Sequence, residues 1–306
     1  MSAAASVDDA PPRVAALSGQ AARVDGASGE ASATDGPSLD PGAVTSDVRC
    51  PGDMISVEGT YCPAVAHRCA EFVGDRGEER EGQRWRHEER RCRRFQNERI
   101  CEGRPARLRY CIDRFEYPNR EGAMPATMVG YDEAREACGV EGKRLCEAEE
   151  WAFACEGART APYPTGLERD ASACNIDRPR RPQRLVDAHD REAQARQAVL
   201  LDQRVPSGSS PRCTSPFGGA DMTGNVAEWV HYRRGRKGTV PSDAALAGGD
   251  WERTPALCRS LDASHDRTHR AHVSGFRCCA DVTTGAAARV LMPAGARLEK
   301  RRAIVP

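Results

Sequence analysis

The 306 residues carry 45 Lys and Arg against 45 Asp and Glu, so the formal charge is zero. A polyanion-binding protein normally shows a basic excess or stripe, which argues against nucleic acid as a partner. The length allows one large domain with tails or two modest domains, and no stretch is long and apolar enough to span a membrane.

Residues 1–48 are rich in Ala, Ser, Gly, Asp and Pro and lack periodicity, the composition of a disordered tail. Residues 49–104 form a cysteine-bearing extension, in which Met54–Gly59 reads as a strand ending in a turn. The run 78–99 is charged nearly all round and is expected to be helix or solvated loop. Its arginines are interleaved with Glu88, Glu89 and Glu98, so it makes no basic stripe.

The main domain is expected over 105–284, with a C-terminal tail over 285–306. Asp132–Cys138 predicts a short helix stopped by Gly139, and Glu147–Cys155 a second one followed by Gly157. Gly142–Leu145 is a turn between them, and a further helix is predicted over Ala188–Leu201 within a charged insertion, 177–205. Turn-rich stretches at 163–166, 206–210 and 215–219 complete an irregular, turn-rich α+β pattern.

The 14 cysteines are scattered, with no C-x2-C pair of the kind that announces zinc. An even, scattered set predicts disulfides made in an oxidising compartment. The protein is therefore expected to be extracytoplasmic: periplasmic, secreted or surface-tethered. Residues 1–48 hold no apolar run of signal-peptide length. That leaves a start upstream, an export route without such a run, or a chain kept reduced; the cysteines favour export.

Several phrases recur in a characteristic order. They are Cys111–Asn119 (CIDRFEYPN), GKRL at 142–145, EEWAFACEG at 149–157, YPTG at 163–166, Cys174-Asn175, Asp221–Trp229 (DMTGNVAEW), Gly248–Trp251 (GGDW) and Gly275–Cys278 (GFRC). The series resembles the sulfatase-modifying-factor family, which includes formylglycine-generating enzymes, over roughly residues 105–281. The resemblance implies a C-type-lectin-like fold and a calcium ion, held by Asp221, Gly224, Val226 and Glu228 through backbone carbonyls and a carboxylate, donors suited to a hard cation. A second calcium would touch Asn175 and Ile176, its remaining ligands falling where this chain has its charged insertion.

The family's oxidases convert a substrate cysteine with molecular oxygen and Cu(I) held by two cysteines, soft ligands for a soft ion. Counted forward from Gly248, Arg253 falls on the first of these and Cys258 on the second; counted back from Gly275, Cys258 falls beside a structural cysteine. Neither register leaves two thiols, Asp250 replaces the family's serine and Ala227 its first tryptophan. A copper site is therefore not expected. The resemblance further implies bridges Cys138–Cys278 and, under the second register, Cys155–Cys258, which makes Cys258 structural before it is catalytic. His265, His269 and His272 have the spacing of one helical face and are a candidate metal group.

Two functions follow. The first is an exported, non-catalytic module that holds a peptide or protein in the fold's groove. The alternative is a divergent oxygen-dependent oxidase acting on cysteine in protein substrates, which rests on fold analogy alone.

Overall fold

The computed structural model describes residues 48–72, 92–184, 186, 190–233, 243–252 and 255–284. The expected N-terminal tail up to residue 47, the charged stretch 73–91 and the tail 285–306 lie outside the described residues. Short strands β1 (Val48–Arg49) and β12 (Thr283–Thr284) pair antiparallel. Between them come β2 (Met54–Tyr61), β3 (Ala64–Phe72), β4 (Cys92–Glu102), β5 (Ala106–Asp113), α1 (Tyr131–Val140), β6 (Arg144–Leu145), α2 (Ala148–Glu156) and α3 (Arg191–Leu201). Strands β7 (Ala227–His231), β8 (Ala244–Ala247), β9 (Leu261–Asp262), β10 (Ser274–Gly275) and β11 (Cys278–Ala280) follow. This is a mixed α+β fold with few helices and much turn.

Two sheets carry the architecture, ordered β2-β5-β11-β6 and β10-β7-β8-β9. Strand β7 shows how side-chain alternation builds the core, since successive residues point to opposite faces. Trp229 packs with Tyr131 and Ala134 of α1 and with Phe276. Val230 packs with Trp151 and Phe153 of α2 and with Val57 and Ile112 of the first sheet. Burying each such large apolar side chain contributes about 1.5–3 kcal/mol.

Helix α1 runs through Gly139 to Val140, past the expected stop. The left-handed position falls instead at Gly142, φ 72°, and the N–H of Lys143 closes the turn on the Cys138 carbonyl at 2.9 Å. Helix α2 starts where Glu150 Oε2 accepts the N–H of Glu147 at 2.9 Å. That carboxylate also receives a bidentate Arg144 at 2.7 Å. The helix ends at Gly157, φ 67°.

One expectation fails. Residues 92–99 are neither helix nor loop but part of β4, paired antiparallel with β3. In this two-stranded ribbon only Cys92 and Phe95 of β4 are buried. The remaining positions face water on both sides, so polar-apolar alternation is missing from the sequence.

All fourteen cysteines pair. Cys62–Cys101 and Cys69–Cys92 staple the ribbon, Cys50–Cys111 ties the chain before β2 to β5, and Cys174–Cys213 joins two loops. Cys138–Cys278, Cys146–Cys279 and Cys155–Cys258 span 140, 133 and 103 residues. Closing loops of that length stabilises by about 3–5 kcal/mol each in the chain-entropy model. No helix among the described residues is long and apolar enough to cross a membrane.

Candidate functional site

The DMTGNVAEW segment is a tight loop feeding β7. Asp221, Gly224 and Asn225 adopt positive φ of 53°, 79° and 50°. At Gly224 this is obligatory, because a Cβ there would stand 2.4 Å from the carbonyl of Asn175 and from Ile176. The loop thus lies directly on the Asn175-Ile176 segment, where the Asn225 N–H donates to the Asn175 carbonyl at 2.9 Å.

Beneath the loop sits a buried cluster of charge. Arg277 is completely enclosed and donates from Nε and Nη2 to the two oxygens of Glu228, both at 2.7 Å. Its remaining N–H groups reach the carbonyls of Ala220, Asp113 and Arg114. Trp151 Nε1 also donates to Glu228 Oε2 at 2.7 Å. Two more carboxylates join them. Glu116 accepts from Asn225 Nδ2 at 2.8 Å and from Ser207 Oγ at 2.5 Å. Asp221 Oδ2 accepts the Gly208 N–H at 2.7 Å, and its Oδ1 is buried without a hydrogen-bond partner.

One guanidinium therefore faces three buried carboxylates. Burial, then the charge of Asp221, pushes Glu116 up to about 8 even though Arg277 pulls the other way. Burial likewise raises Asp221 to about 6. Sequence reasoning had placed Asp221, Gly224, Val226 and Glu228 on this loop but missed Glu116 and Arg277. Both stood in quoted phrases, RFEYPN and GFRC, without an assigned role.

Around Asp221 the structure places an orphaned carboxylate oxygen and a surplus of buried negative charge, features that suit a hard cation. The Asn175 side chain is otherwise engaged. Its Oδ1 accepts from Arg178 Nε at 2.8 Å, and its amide donates to Gln203 and Asn225. Arg178 thus sets a fixed positive charge beside the second pair of expected ligands, Asn175 and Ile176.

The copper ligands of the family do not fit this chain. Cys258 is bonded to Cys155, and no cysteine is left as a thiol. Arg253, on the first thiol position in one register, lies outside the described residues.

A groove lies beside the GGDW phrase. Gly249, φ 69°, packs so closely on the next loop that a Cβ would meet the Pro255 carbonyl at 2.4 Å. This turn delivers Asp250, which accepts the Glu252 N–H at 2.8 Å, to the junction of two cavities. One, of about 430 Å³, is walled by α3 and the 269–273 segment; the other, of about 370 Å³, is floored by Ala227, Leu246 and Leu261. The helical-face arrangement expected of the three histidines does not form, because residues 263–273 are irregular. His265 and His269 stack at 3.7 Å, while His272 packs edge-on against Trp251. Among the described residues no group of three or more His, Cys, Asp or Glu side chains is placed to hold a metal ion.

No curated protein matches the chain. Among solved structures it is similar to the crystal structure of CarF, with 16% identity, 76% of this chain and 99% of that one covered and a TM-score of 0.45. It is also similar to PvdO from Pseudomonas aeruginosa (17% identity, 74% and 94% covered, TM-score 0.41). A third similar structure is Treponema denticola variable protein 1 (12% identity, 74% and 94% covered, TM-score 0.43). The profile of the sulfatase-modifying factor enzyme 1-like domain matches residues 64–282. With the ordered phrases and more than half of the chain matched, the protein belongs to the sulfatase-modifying factor enzyme 1-like domain family.

Proposed function

We propose that the protein is an exported, non-catalytic module that holds a peptide or protein segment in the groove beside Asp250. The observation that carries this reading is the pairing of every cysteine, Cys258 with Cys155 included. The dithiolate that the family's oxidases use for Cu(I) has no counterpart here, and Asp250 stands in place of their serine. Seven disulfides in one chain support an oxidising compartment.

Calcium at the Asp221 loop is part of the same reading, with Asp221 and Glu228 and the carbonyls of Gly224 and Val226 as the ligands. When bound it would supply positive charge to a cluster that has too little. Arg277 holds Glu228, Trp151 orients it, and Gly208 positions Asp221 through its N–H. The ion's role is then to keep the loop ahead of β7 in shape.

The direct test incubates the protein with Cu(I), oxygen and a Cys-x-Pro-x-Arg peptide. No aldehyde is expected. Aldehyde formation would overturn the non-catalytic reading in favour of an oxidase.

A further inference from the structure

We infer that three arginines, Arg169, Arg178 and Arg204, take the place of the second calcium ion that the family resemblance implies. The Asn175 turn is then held by guanidinium groups and needs no metal. This holds whether or not the Asp221 loop binds calcium.

Calcium takes about six to eight oxygen ligands, carboxylates among them. At Asn175 and beside it, the side-chain oxygens already have guanidinium partners. Asn175 is 2% exposed, and its Oδ1 accepts from Arg178 Nε at 2.8 Å. Its carbonyl accepts the Asn225 N–H at 2.9 Å. The adjoining carboxylate, Asp177, accepts from Arg169 Nε and Nη2 at 2.8 and 2.6 Å. Asp202 borders the turn from the far end of the insertion, because Asn175 Nδ2 donates to the carbonyl of neighbouring Gln203 at 3.0 Å. The two oxygens of Asp202 accept from Arg204 Nε and Nη2 at 2.8 and 2.7 Å. Both carboxylates thus face a guanidinium fork, the strong bidentate form of a charge-assisted hydrogen bond. An ion here would have to displace an arginine from each carboxylate it used.

Two of these arginines are not solvated surface charges of the kind that contribute little. The Arg169 side chain is 3% exposed and that of Arg204 15%. Arg178 is the exposed member, but its main chain is pinned, since its N–H donates to the Trp251 carbonyl at 2.8 Å. Arg204 also reaches the Pro125 carbonyl through Nη1 at 2.5 Å. The guanidiniums therefore supply what a structural calcium supplies: positive charge beside carboxylates, and ties between segments distant in sequence.

The test is hydrogen exchange, read peptide by peptide on the full-length oxidised protein, in chelator and in excess calcium. Asp221→Ala removes the loop site, so any calcium effect left over residues 174–178 belongs to the Asn175 turn; Asp221→Asn replaces it if the alanine variant does not fold. No slowing by calcium is expected there. Arg178→Met and Arg204→Met should each speed exchange over 174–178 or 202–205 by tenfold or more, alike with and without calcium. Melting curves confirm that each variant is folded. Slowing by calcium over 174–178 in the Asp221 variant would place an ion at the turn and overturn the inference. So would exchange left unchanged by both arginine substitutions. In the wild type calcium is expected to slow exchange over 222–226; if it does not, calcium at the Asp221 loop is overturned and the arginine assignment stands.

Discussion

Arg277 clasps both oxygens of Glu228 at 2.7 Å, and neither residue is exposed by more than 1%. Removing one partner of such a pair leaves a buried charge with nothing to offset it, at about 3–5 kcal/mol. Arg277→Met is the harsher case, because it strands Glu228 beside Glu116 and Asp221. Denaturant unfolding should show a loss of at least that size, and a loss below about 1 kcal/mol would mean that the pair is not buried as described.

Glu116 gives the centre a pH dependence. Burial lifts its carboxyl from the ordinary 4.5 to about 8, so between those values the folded protein keeps a proton that the unfolded chain gives up. Its contribution is present below pH 4.5 and is lost as pH rises through 8. In a chelator, wild-type stability is expected to fall over this window and Glu116→Gln to fall less steeply. Equal slopes in urea titrations across the window would remove Glu116 as the cause.

Calcium binding at the Asp221 loop should stabilise by mass action, about 2.7 kcal/mol at a hundredfold excess over the dissociation constant. A rise in melting temperature with calcium, reversed by chelation and absent in Asp221→Ala, is the expected pattern. No shift in the wild type would leave Arg277 as the only counter-charge of the cluster among the described residues.

Every cysteine being paired, alkylation of the native protein should modify none, and the reduced, denatured chain should take up fourteen labels. Replacing Cys155 and Cys258 together by Ala should cost about 2–5 kcal/mol without uncovering any activity. Labelling of Cys258 in the native protein would contradict its bond to Cys155.

Gly224→Ala should be among the more damaging single-methyl changes in the chain. It combines φ 79° with a contact of 2.4 Å to the backbone of Asn175, and strain of this kind costs about 1–3 kcal/mol. Thermal melting would show it, and a neutral outcome would mean that the loop can lift off the Asn175 segment.

The frame of the domain was legible because it is local. The Glu147–Cys155 phrase carries its own cap signal at Glu150 and its stop at Gly157, so the helix needs no distant information. Strand β4 was illegible for the opposite reason: a ribbon wetted on both faces has no alternation to read, and its charged residues mimic a solvated helix. The acid–arginine centre was only half visible. Asp221 and Glu228 share one loop, but Glu116 and Arg277 arrive from opposite ends of the domain and meet only when β11 slots between β5 and β6.

The adjacent cysteines of β11 carry a consequence for biogenesis. Neighbouring residues of a strand point to opposite sides, so Cys278 reaches Cys138 on α1 while Cys279 reaches Cys146 ahead of α2. Swapping the two partners would require the strand to turn over, which its pairing with both β5 and β6 forbids. The ribbon bridges Cys62–Cys101 and Cys69–Cys92 need only the chain up to residue 101, whereas the two that seal the first sheet need it through β11. A chain ending before β11 would lack the native partners of both Cys138 and Cys146, so the two seals of the first sheet depend on its C-terminal strand.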